Sequence, residues 1–212
     1  MNPLLIDVPE RIETERLIMR CPLPGDGAVL NAAVCESLDA LRPFMPWAQS
    51  APSLDESELV CRRAQARFRL REDLTLSMFE RLADGSEGRY IGGSGLHRIQ
   101  WDVRRFEIGY WCRSTCTGQG FVTEAVLALN RVAFDRLGAR RVELRMDGVN
   151  ERSRRVAERA AFTFEGVLRG DSLSPQGVVR DTRIYARVLG IEETGEAEEA
   201  PPGLRWGDGG AR

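Results

Sequence analysis

Nine residues near the middle of the chain, TGQGFVTEA from Thr117 to Ala125, have a composition suited to binding an anion. A strand-like apolar run ends just before them, and a helix-like run begins at Phe121. Such a junction points several backbone N–H groups and the positive end of a helix dipole at one place. Gly118 and Gly120 have no Cβ atoms, so a phosphate group can approach the main chain, and the Thr117 hydroxyl can add a contact. The sequence therefore predicts a phosphate site, with an ordinary tight turn as the alternative.

Two familiar nucleotide-binding motifs fit this turn poorly. A Walker loop would end in Lys followed by Ser or Thr, and a dinucleotide fingerprint would have a third glycine where Thr123 stands. The preceding strand also belongs to a meander, whereas a dinucleotide site needs a parallel strand and a crossover helix. A dinucleotide-binding oxidoreductase is thus an alternative that the pattern disfavours.

A second group of chemically capable residues lies in the strand-like run FEIGYWC, from Phe106 to Cys112. Strand alternation puts Glu107, Gly109 and Trp111 on one face. This face combines a carboxylate, a gap and an aromatic ring, which suits a site better than a packed core. Glu107 is therefore a candidate general base, acting directly or through a water molecule.

The alternative for Glu107 is a surface ion pair with an arginine such as Arg98 or Arg104, and the sequence leaves both interpretations open. A carboxyl group near its ordinary pKa of about 4 is a weak base for an ammonium with a pKa near 8. A catalytic role would therefore require burial or a water relay to help.

The elements that must position these residues follow a mixed order. Apolar periodicity predicts a strand, two helices, three strands, a helix, a strand, a helix and two strands. The three consecutive strands predict an antiparallel meander, and Ser53 with Glu56 predicts a capping box at the second helix. We expect one domain over residues 1–190 and a disordered, acidic, Gly- and Pro-containing tail over residues 191–212.

Composition restricts the possible partners. The chain has 212 residues, 42% hydrophobic and 29% charged, with a net charge of −2 and a pI near 5.7. Interspersed charges of both signs give no basic field for nucleic acid or an anionic membrane. No run approaches the roughly 20 apolar residues of a membrane span, and the first residues meet charge too early for a signal peptide. A cytoplasmic location is the expectation.

The cysteines and the single histidine give little sign of metal chemistry. Five cysteines, an odd number, fit reduced thiols better than a disulfide framework. Cys112 and Cys116 lack the further ligands of a tetrahedral site, so we expect no metal. Alternation places Cys112 with the core-facing residues, which favours packing over a covalent acyl intermediate. His97 is interpreted as an ordinary strand residue and is left out of the catalytic set.

At this point the chain resembles the GNAT N-acetyltransferases, whose acyl-CoA motif is Arg/Gln-x-x-Gly-x-Gly/Ala at the start of the central helix. The runs EIGYW, GQGFVTEAV, NERSRRVAERAAF and FEGVLRG look most like the branch that acetylates ribosomal-protein N-termini. The resemblance extends over nearly all of residues 10–190. It implies an α/β (α+β) fold, with a mixed, mostly antiparallel central sheet of about seven strands and helices on both faces.

The chain departs from the motif at two positions. Thr117 stands for Arg or Gln, which should weaken one side-chain contact to phosphate, and Val122 stands for Gly or Ala, which adds bulk in the first helical turn. AAF at residues 160–162 also replaces the usual Leu-Gly-Phe. Because the backbone donors remain, acetyl-CoA is still the expected donor substrate.

The resemblance implies roles for further residues. Asn150 and Ser153, otherwise a helix N-cap and first-turn residue, would lie near the CoA thiol, with Ser153 protonating the departing thiolate. Phe44 and Trp47, in a proline-stiffened loop, would wall the acceptor site, although Trp47 could instead pack under the loop. Backbone N–H groups from Trp111 to Arg113 could polarise the thioester oxygen. The expected cofactor-binding set is Trp111, Cys112, Arg113, Thr117, Gly118, Gln119, Gly120, Phe121, Val122, Asn150 and Ser153.

The leading hypothesis is an acetyl-CoA-dependent N-acetyltransferase that works by direct transfer in a ternary complex. The preferred acceptor is a protein N-terminal amine, and the protein is expected to be a monomer or homodimer. A small-molecule amine, such as a polyamine or an antibiotic-like acceptor, is the alternative within the enzyme class. A non-catalytic acyl-CoA-binding module is the alternative outside it.

Overall fold

The computed structural model of the protein describes residues 2–191 and 202–207, which form one nine-stranded sheet with four α-helices. The strands are β1 (Arg11–Glu13), β2 (Leu17–Arg20), β3 (Leu74–Arg81), β4 (Glu87–Gln100), β5 (Arg105–Cys112), β6 (Arg141–Asp147), β7 (Thr163–Leu173), β8 (Val179–Val188) and β9 (Arg205–Trp206). The helices are α1 (Gly27–Leu41), α2 (Leu54–Arg69), α3 (Phe121–Asp135) and α4 (Glu151–Arg159). No helix among the described residues is long and apolar enough to cross a membrane.

The sheet has the strand order β7-β8-β6-β5-β4-β3-β2-β1-β9. Every neighbouring pair is antiparallel except β5 and β6, which are parallel. Parallel neighbours need a crossover connection, and α3 supplies it between these two strands. The mixed, mostly antiparallel sheet with helices on both faces is confirmed, and all seven expected strands are present together with the short strands β1 and β9.

The two faces of the sheet bury different side chains, as strand alternation requires. The face beneath α3 holds the larger apolar cluster, which includes Met19, Ile91, Phe106, Ile108, Val126 and Leu129. The face beneath α1 holds a smaller cluster of Ile18, Ala33, Phe79 and Tyr90, with Leu30 and Trp111 packed against it. Neighbouring residues along β5 therefore face opposite layers, so Ile108 lies in the core and Trp111 lies towards α1.

The segment after Gly190 differs in part from the expected disordered tail. Residues 192–201 and 208–212 lie outside the described residues, but Arg205–Trp206 pairs with β1. Leu204 and Trp206 pack against the larger cluster, and the Arg136 guanidinium lies 5.7 Å from the centre of the Trp206 ring. The composition of the segment is acidic on average, so it gives no sign of these two apolar side chains. Their burial orders residues 202–207.

Helices α1 and α2 are joined by contacts at their N-terminal ends. The expected capping box is confirmed, with the Ser53 hydroxyl accepting from the Glu56 N–H at 3.2 Å and the Glu56 carboxylate accepting from the Ser53 N–H at 2.7 Å. The Glu58 carboxylate accepts N–H groups from Gly25 and Gly27 at the start of α1. These bonds fix the pair of helices that faces the β5 side chains.

Replacing Gly27 with alanine is expected to destabilise the protein by about 1–3 kcal/mol, because it overpacks this helix contact. An added Cβ atom would lie 2.6 Å from the Cα atom of Glu58, which is backbone and cannot turn away. Urea unfolding followed by circular dichroism measures the change. Val29→Ala, at an exposed position on the same helix, is the control, with an expected change below about 0.5 kcal/mol. Equal stability of Gly27→Ala and the wild type would contradict the packing described.

Candidate active site

Strands β5 and β6 separate partway along their length and open a cleft. Their parallel register runs through three residue pairs and ends at Glu107 and Glu143, although β5 continues to Cys112 and β6 to Asp147. A cavity of about 720 Å³ lies at this opening and is lined by residues of both strands, including Ile108–Trp111 and Leu144–Asp147. The cleft is therefore bounded by strand edges whose backbone groups lack the neighbouring strand.

The backbone of β5 offers hydrogen-bond donors to the cleft, but not at all the expected positions. The Arg113 N–H donates to the Ile91 carbonyl oxygen at 2.8 Å, so it is committed to β4. Alternate residues of an antiparallel ladder turn their N–H groups to opposite sides, which directs those of Tyr110 and Cys112 towards the cleft. The expectation of donors from Trp111 to Arg113 is thus corrected to Tyr110 and Cys112.

Arg113 and the thiol of Cys112 lie outside the cleft. The Arg113 guanidinium pairs with Glu36 of α1 at 2.6 Å, and that hydrogen bond raises the pKa of Arg113. Cys112 packs against the larger apolar cluster, and burial raises the pKa of its thiol to about 12. A thiol so far from ionisation does not act as a nucleophile near neutral pH, which agrees with its interpretation as a packing residue.

Glu107 projects into the cleft as an incompletely paired carboxylate. Its side chain is 15% exposed, and its buried Oε2 atom accepts no hydrogen bond from the described residues. Arg98, at 3.5 Å, is 70% exposed and therefore a strongly screened partner. Burial raises the pKa of Glu107 above the ordinary value of 4.5, against the opposing charge of Arg98. The ion pair and the raised pKa coexist, because Oε2 faces the charge of Arg98 but receives no hydrogen bond from the described residues.

Ser153 and Asn150 stand at the opposite wall of the cleft, where β6 gives way to α4. The Asn150 side chain accepts from the Ser153 N–H at 3.1 Å, so Asn150 is the N-cap as expected. Both residues line the cavity. The Tyr110 hydroxyl donates to the Ser153 carbonyl oxygen at 3.3 Å, which joins the two walls across the opening. The Ser153 side chain is also a hydrogen-bonding neighbour of the Tyr110 hydroxyl, and it lies at the cavity surface.

An aromatic wall closes the α1–α2 side of the cleft. Phe44 and Trp47 both line the cavity, and Trp47 meets Trp111 edge to face with the ring centres 5.8 Å apart. The Trp111 indole lies against Gly93, where an added Cβ atom would come within 2.6 Å of the indole nitrogen. Trp47 is still 53% exposed, so it forms a wall rather than packing beneath the loop.

The glycine turn has the conformation expected of an anion cradle. Gly118 and Gly120 have φ angles of 76° and 85°, which side chains other than glycine adopt only with strain. Gly120 is the N-cap of α3 and provides no capping side chain, so the first N–H groups of the helix are not capped.

A second cavity of about 890 Å³ adjoins the turn and is lined by Arg16, Arg131, Arg159 and Arg187 with Glu15 and Glu124. The excess of arginine favours a ligand rich in phosphate.

The side chains of the turn point away from this cradle and leave its backbone exposed. The Thr117 hydroxyl donates to the Ser114 carbonyl oxygen at 2.9 Å, and the Gln119 amide donates to the Thr115 carbonyl oxygen. Phe121 is buried, and Val122 packs against the larger cluster. These residues therefore offer their main-chain N–H groups to a cofactor site. The larger side chain of Val122 is accommodated because it packs against the core.

Arg16 is a member of this region that the sequence pattern does not single out. It pairs with Glu124 at 2.6 Å, donates to the Gln119 carbonyl oxygen at 2.9 Å, and lies over the Phe121 ring. An arginine 103 residues upstream of Gln119 thus holds the turn whose own position 117 lacks one.

His97 is a hydrogen-bonded residue of β4, as the sequence indicated, but it also lies in the cleft. It lines the cavity beside Glu107, its cross-strand partner, and its Nδ1 atom is 2.9 Å from Oδ2 of Asp73. The register of β4 on β5 puts position 97 opposite position 107, so the length of the turn between these strands is the signal that could have found it. No group of three or more His, Cys, Asp or Glu side chains in residues 2–191 and 202–207 is arranged to hold a metal ion.

A mixed sheet that separates at its parallel strand pair, with a glycine cradle at the start of the crossover helix, defines a class of acyl-group-transfer enzymes. The chain belongs to the GNAT acetyltransferase family, since the family model described as "Acetyltransferase (GNAT) domain" matches residues 16–163.

Two relatives are similar to this chain in sequence, and a solved structure is similar to it in fold. A Bacillus subtilis relative that carries the provisional name ribosomal N-acetyltransferase YdaF is 36% identical over 110 residues, which cover 52% of this chain and 59% of that protein. The ribosomal-protein-serine acetyltransferase of Escherichia coli is 26% identical over 76% of this chain and 86% of its own. The structure of RimL, a ribosomal L7/L12 α-N-protein acetyltransferase in complex with coenzyme A, has a TM-score of 0.77 at 22% identity and covers 87% of this chain and 99% of its own.

Replacing Glu107 with glutamine is expected to stabilise the free protein above pH 7. Because the folded pKa of Glu107 is raised, its favourable contribution is complete below the unfolded value and is lost as pH rises through the folded value. Glutamine removes the charge that folding desolvates. The free energy of unfolding in urea, compared at pH 4 and pH 7.5, should show the advantage of Glu107→Gln only at pH 7.5.

Glu143→Gln is the control, because Glu143 is buried and pairs with Arg141 at 2.9 Å, so its replacement should destabilise the protein. Lower stability of Glu107→Gln than of the wild type at pH 7.5 would show that the favourable charge of Arg98 outweighs the cost of burying the Glu107 carboxylate.

Proposed function

We propose that the protein is an acetyl-CoA-dependent N-acetyltransferase that transfers acetyl to a primary amine, with a protein N-terminal amine as acceptor. The observation that carries the proposal is the separation of β5 from β6 next to the glycine turn of α3. The exposed edge of β5 suits the amide groups of a pantetheine arm, and the uncapped start of α3 suits its diphosphate. Relatives with N-acetyltransferase names and a CoA-bound structural neighbour support the same donor.

A peptide acceptor suits the charge and shape of the cleft. A polyamine or aminoglycoside carries several cations and needs a predominantly acidic pocket. The cleft instead balances Glu56, Glu107 and Asp147 against Arg98 and Arg145, and much of its lining is apolar. Such a lining suits one ammonium group attached to an extended chain. The relatives named as ribosomal-protein acetyltransferases support a protein N-terminus, and the proposal includes a cytoplasmic location.

The residues of the cleft can divide the chemistry of direct transfer between them. Glu107 binds the acceptor ammonium and removes a proton from it, directly or through a water molecule, and its raised pKa makes it a stronger base. The Tyr110 and Cys112 N–H groups face the place where the thioester oxygen would gain charge. Ser153 protonates the departing thiolate. The presence of Glu107 and Ser153 in one cleft favours an enzyme over a non-catalytic acyl-CoA-binding module.

Titration calorimetry with acetyl-CoA and NADH tests the donor. We expect micromolar binding of acetyl-CoA alone and at least a tenfold loss in Gly120→Asp, because the added carboxylate enters the cradle and repels phosphate. Gly177→Asp is the matched control, since Gly177 also has a positive φ of 78° but lies in the β7–β8 turn. Absence of acetyl-CoA binding by the wild-type protein would overturn the proposal.

Turnover with short peptides beginning with Ser or Ala tests the acceptor, with the same peptides blocked at the N-terminus and a polyamine as controls. Acetylation of the unblocked peptides alone is expected. Ser153→Ala should keep the acetyl-CoA affinity and lose at least tenfold in kcat, since only the departing thiolate is affected. Faster acetylation of the polyamine than of any peptide would overturn the proposed acceptor, and turnover of Ser153→Ala within twofold of the wild type would exclude Ser153 as the acid.

A further inference from the structure

Asp73 and His97 form a hydrogen-bonded pair in the wall of the cleft. Asp73 immediately precedes β3, and its two carboxylate oxygens are both engaged: Oδ2 lies 2.9 Å from Nδ1 of His97, and Oδ1 accepts the Thr75 hydroxyl at 2.5 Å. The Asp73 side chain is 14% exposed and that of His97 is 28% exposed. The pair is thus largely shielded, with the imidazole as the member that reaches the cavity.

The pairing with Asp73 determines which ring nitrogen of His97 is free. A carboxylate only accepts hydrogen bonds, so Nδ1 carries the proton and Nε2 of the neutral ring carries a lone pair. Nε2 makes no hydrogen bond with any described residue. The second nitrogen is therefore a proton acceptor without a partner.

Two glycines make room for the imidazole beside the reaction cleft. A Cβ atom on Gly109 would lie 2.8 Å from Cδ2 and 3.1 Å from Nε2 of His97, and one on Gly95 would lie 3.1 Å from Cε1. Gly95 and Gly109 are cross-strand partners, two pairs along from His97 and Glu107, with the Leu96–Ile108 pair between them. The Nε2 edge of the ring therefore lies over Gly109, on the face of β5 that carries Glu107.

Charged groups around His97 come from every neighbouring element. Arg67 of α2 approaches Oδ2 of Asp73 to 3.6 Å, Glu107 faces from β5, and Arg98 is the next residue on β4. Burial raises the pKa of Asp73, but its hydrogen bonds with His97 and Thr75 and the nearby positive charge of Arg67 favour the carboxylate, and the pKa lies below its ordinary value. Asp73 is consequently ionised near neutral pH and can stabilise a positive charge on the imidazole.

We propose, on the basis of the N-acetyltransferase function inferred above, that His97 is the terminal proton acceptor of the transfer and that Asp73 is its positioning residue. The acceptor ammonium loses one proton, through Glu107 or a shared water molecule, to Nε2 of His97. The neutral amine forms the N–C bond to the thioester carbonyl, and the C–S bond breaks. The thiolate takes the hydroxyl proton of Ser153. The second proton that leaves the amine nitrogen then returns to the Ser153 oxygen. The amide, CoA thiol and imidazolium that result account for every proton.

The chemistry favours an imidazole for this step over a second carboxylate. Imidazoles titrate closer to ammonium groups than carboxylates do, so they accept the proton at smaller cost in free energy. A proton left on Glu107 would block the binding of the next ammonium group. Its passage to His97 returns Glu107 to the carboxylate form in each cycle.

Chemical rescue of His97→Ala by free imidazole tests the proposal in the full-length protein. The substitution leaves an imidazole-sized space over two glycines, so we expect at least a 100-fold loss of kcat and at least tenfold recovery with added imidazole. Recovery should increase with pH as free imidazole loses its proton. His97→Asn preserves a donor for Asp73 but lacks Nε2, and it should be as slow as His97→Ala without rescue.

Matched variants separate this role from a structural one. Gln100→Asn, on the same strand and outside the cavity, should retain wild-type turnover, and imidazole should not accelerate the wild type or Ser153→Ala. Calorimetry should show acetyl-CoA affinity within twofold of the wild type in both His97 variants.

Turnover of His97→Asn above one tenth of the wild-type value, or a loss in His97→Ala that imidazole leaves unchanged, would overturn the role of His97. A wild-type protein that binds acetyl-CoA but acetylates no amine would instead overturn the proposed function, on which this role depends.

Discussion

The loss of pairing between β5 and β6 after Glu107 and Glu143 is the constraint on which the rest of the site depends. A parallel pair at the centre of an antiparallel sheet requires a crossover helix, and α3 supplies it. Beyond the last paired residues, β8 holds β6 through Asp147 while β4 holds β5 through Cys112. Each strand is thus fixed by its outer neighbour, so the opening persists without a ligand and exposes backbone donors on its β5 edge.

The charges of the molecule are arranged along this opening. The uncapped end of α3 and the nearby arginines favour anions, whereas Glu107, farther back along β5, favours a cation. The proposed donor, which carries phosphate, and the proposed acceptor, which carries an ammonium group, would therefore be drawn to different places: the cavity at the glycine turn and the cleft beside Glu107. In the proposed reaction the reacting atoms would meet beside Tyr110 and Ser153, where the two walls of the cleft are joined by a hydrogen bond.

The sequence predicted most of the fold because its signals were local. Period-two alternation identified FEIGYWC as a strand with two distinct faces, and the glycine turn followed by an apolar helical stripe identified the start of α3. The capping box at Ser53 was similarly contained within four residues. Glu107, which strand alternation singled out, lines one cavity together with the residues that the family resemblance suggested, Phe44, Trp47, Asn150 and Ser153.

The remaining features depend on contacts between distant parts of the chain. Arg16 reaches the turn at Gln119 only because β2 and α3 pack together, and His97 meets Asp73 across 24 residues. Strand register decides which N–H groups of β5 face the cleft, and the wrong inclusion of Arg113 followed from not knowing that register. Trp206, in β9, pairs with β1, although the acidic composition of its segment gives no strand signal.

Hydrogen exchange measured by mass spectrometry, with and without acetyl-CoA, tests the central claim that the opening between β5 and β6 and the turn before α3 form the donor site. We predict protection of peptides covering residues 108–112 and 118–123, with little change in β7 and β8. Protection confined to other parts of the chain, with these two segments unchanged at saturating acetyl-CoA, would contradict the claim.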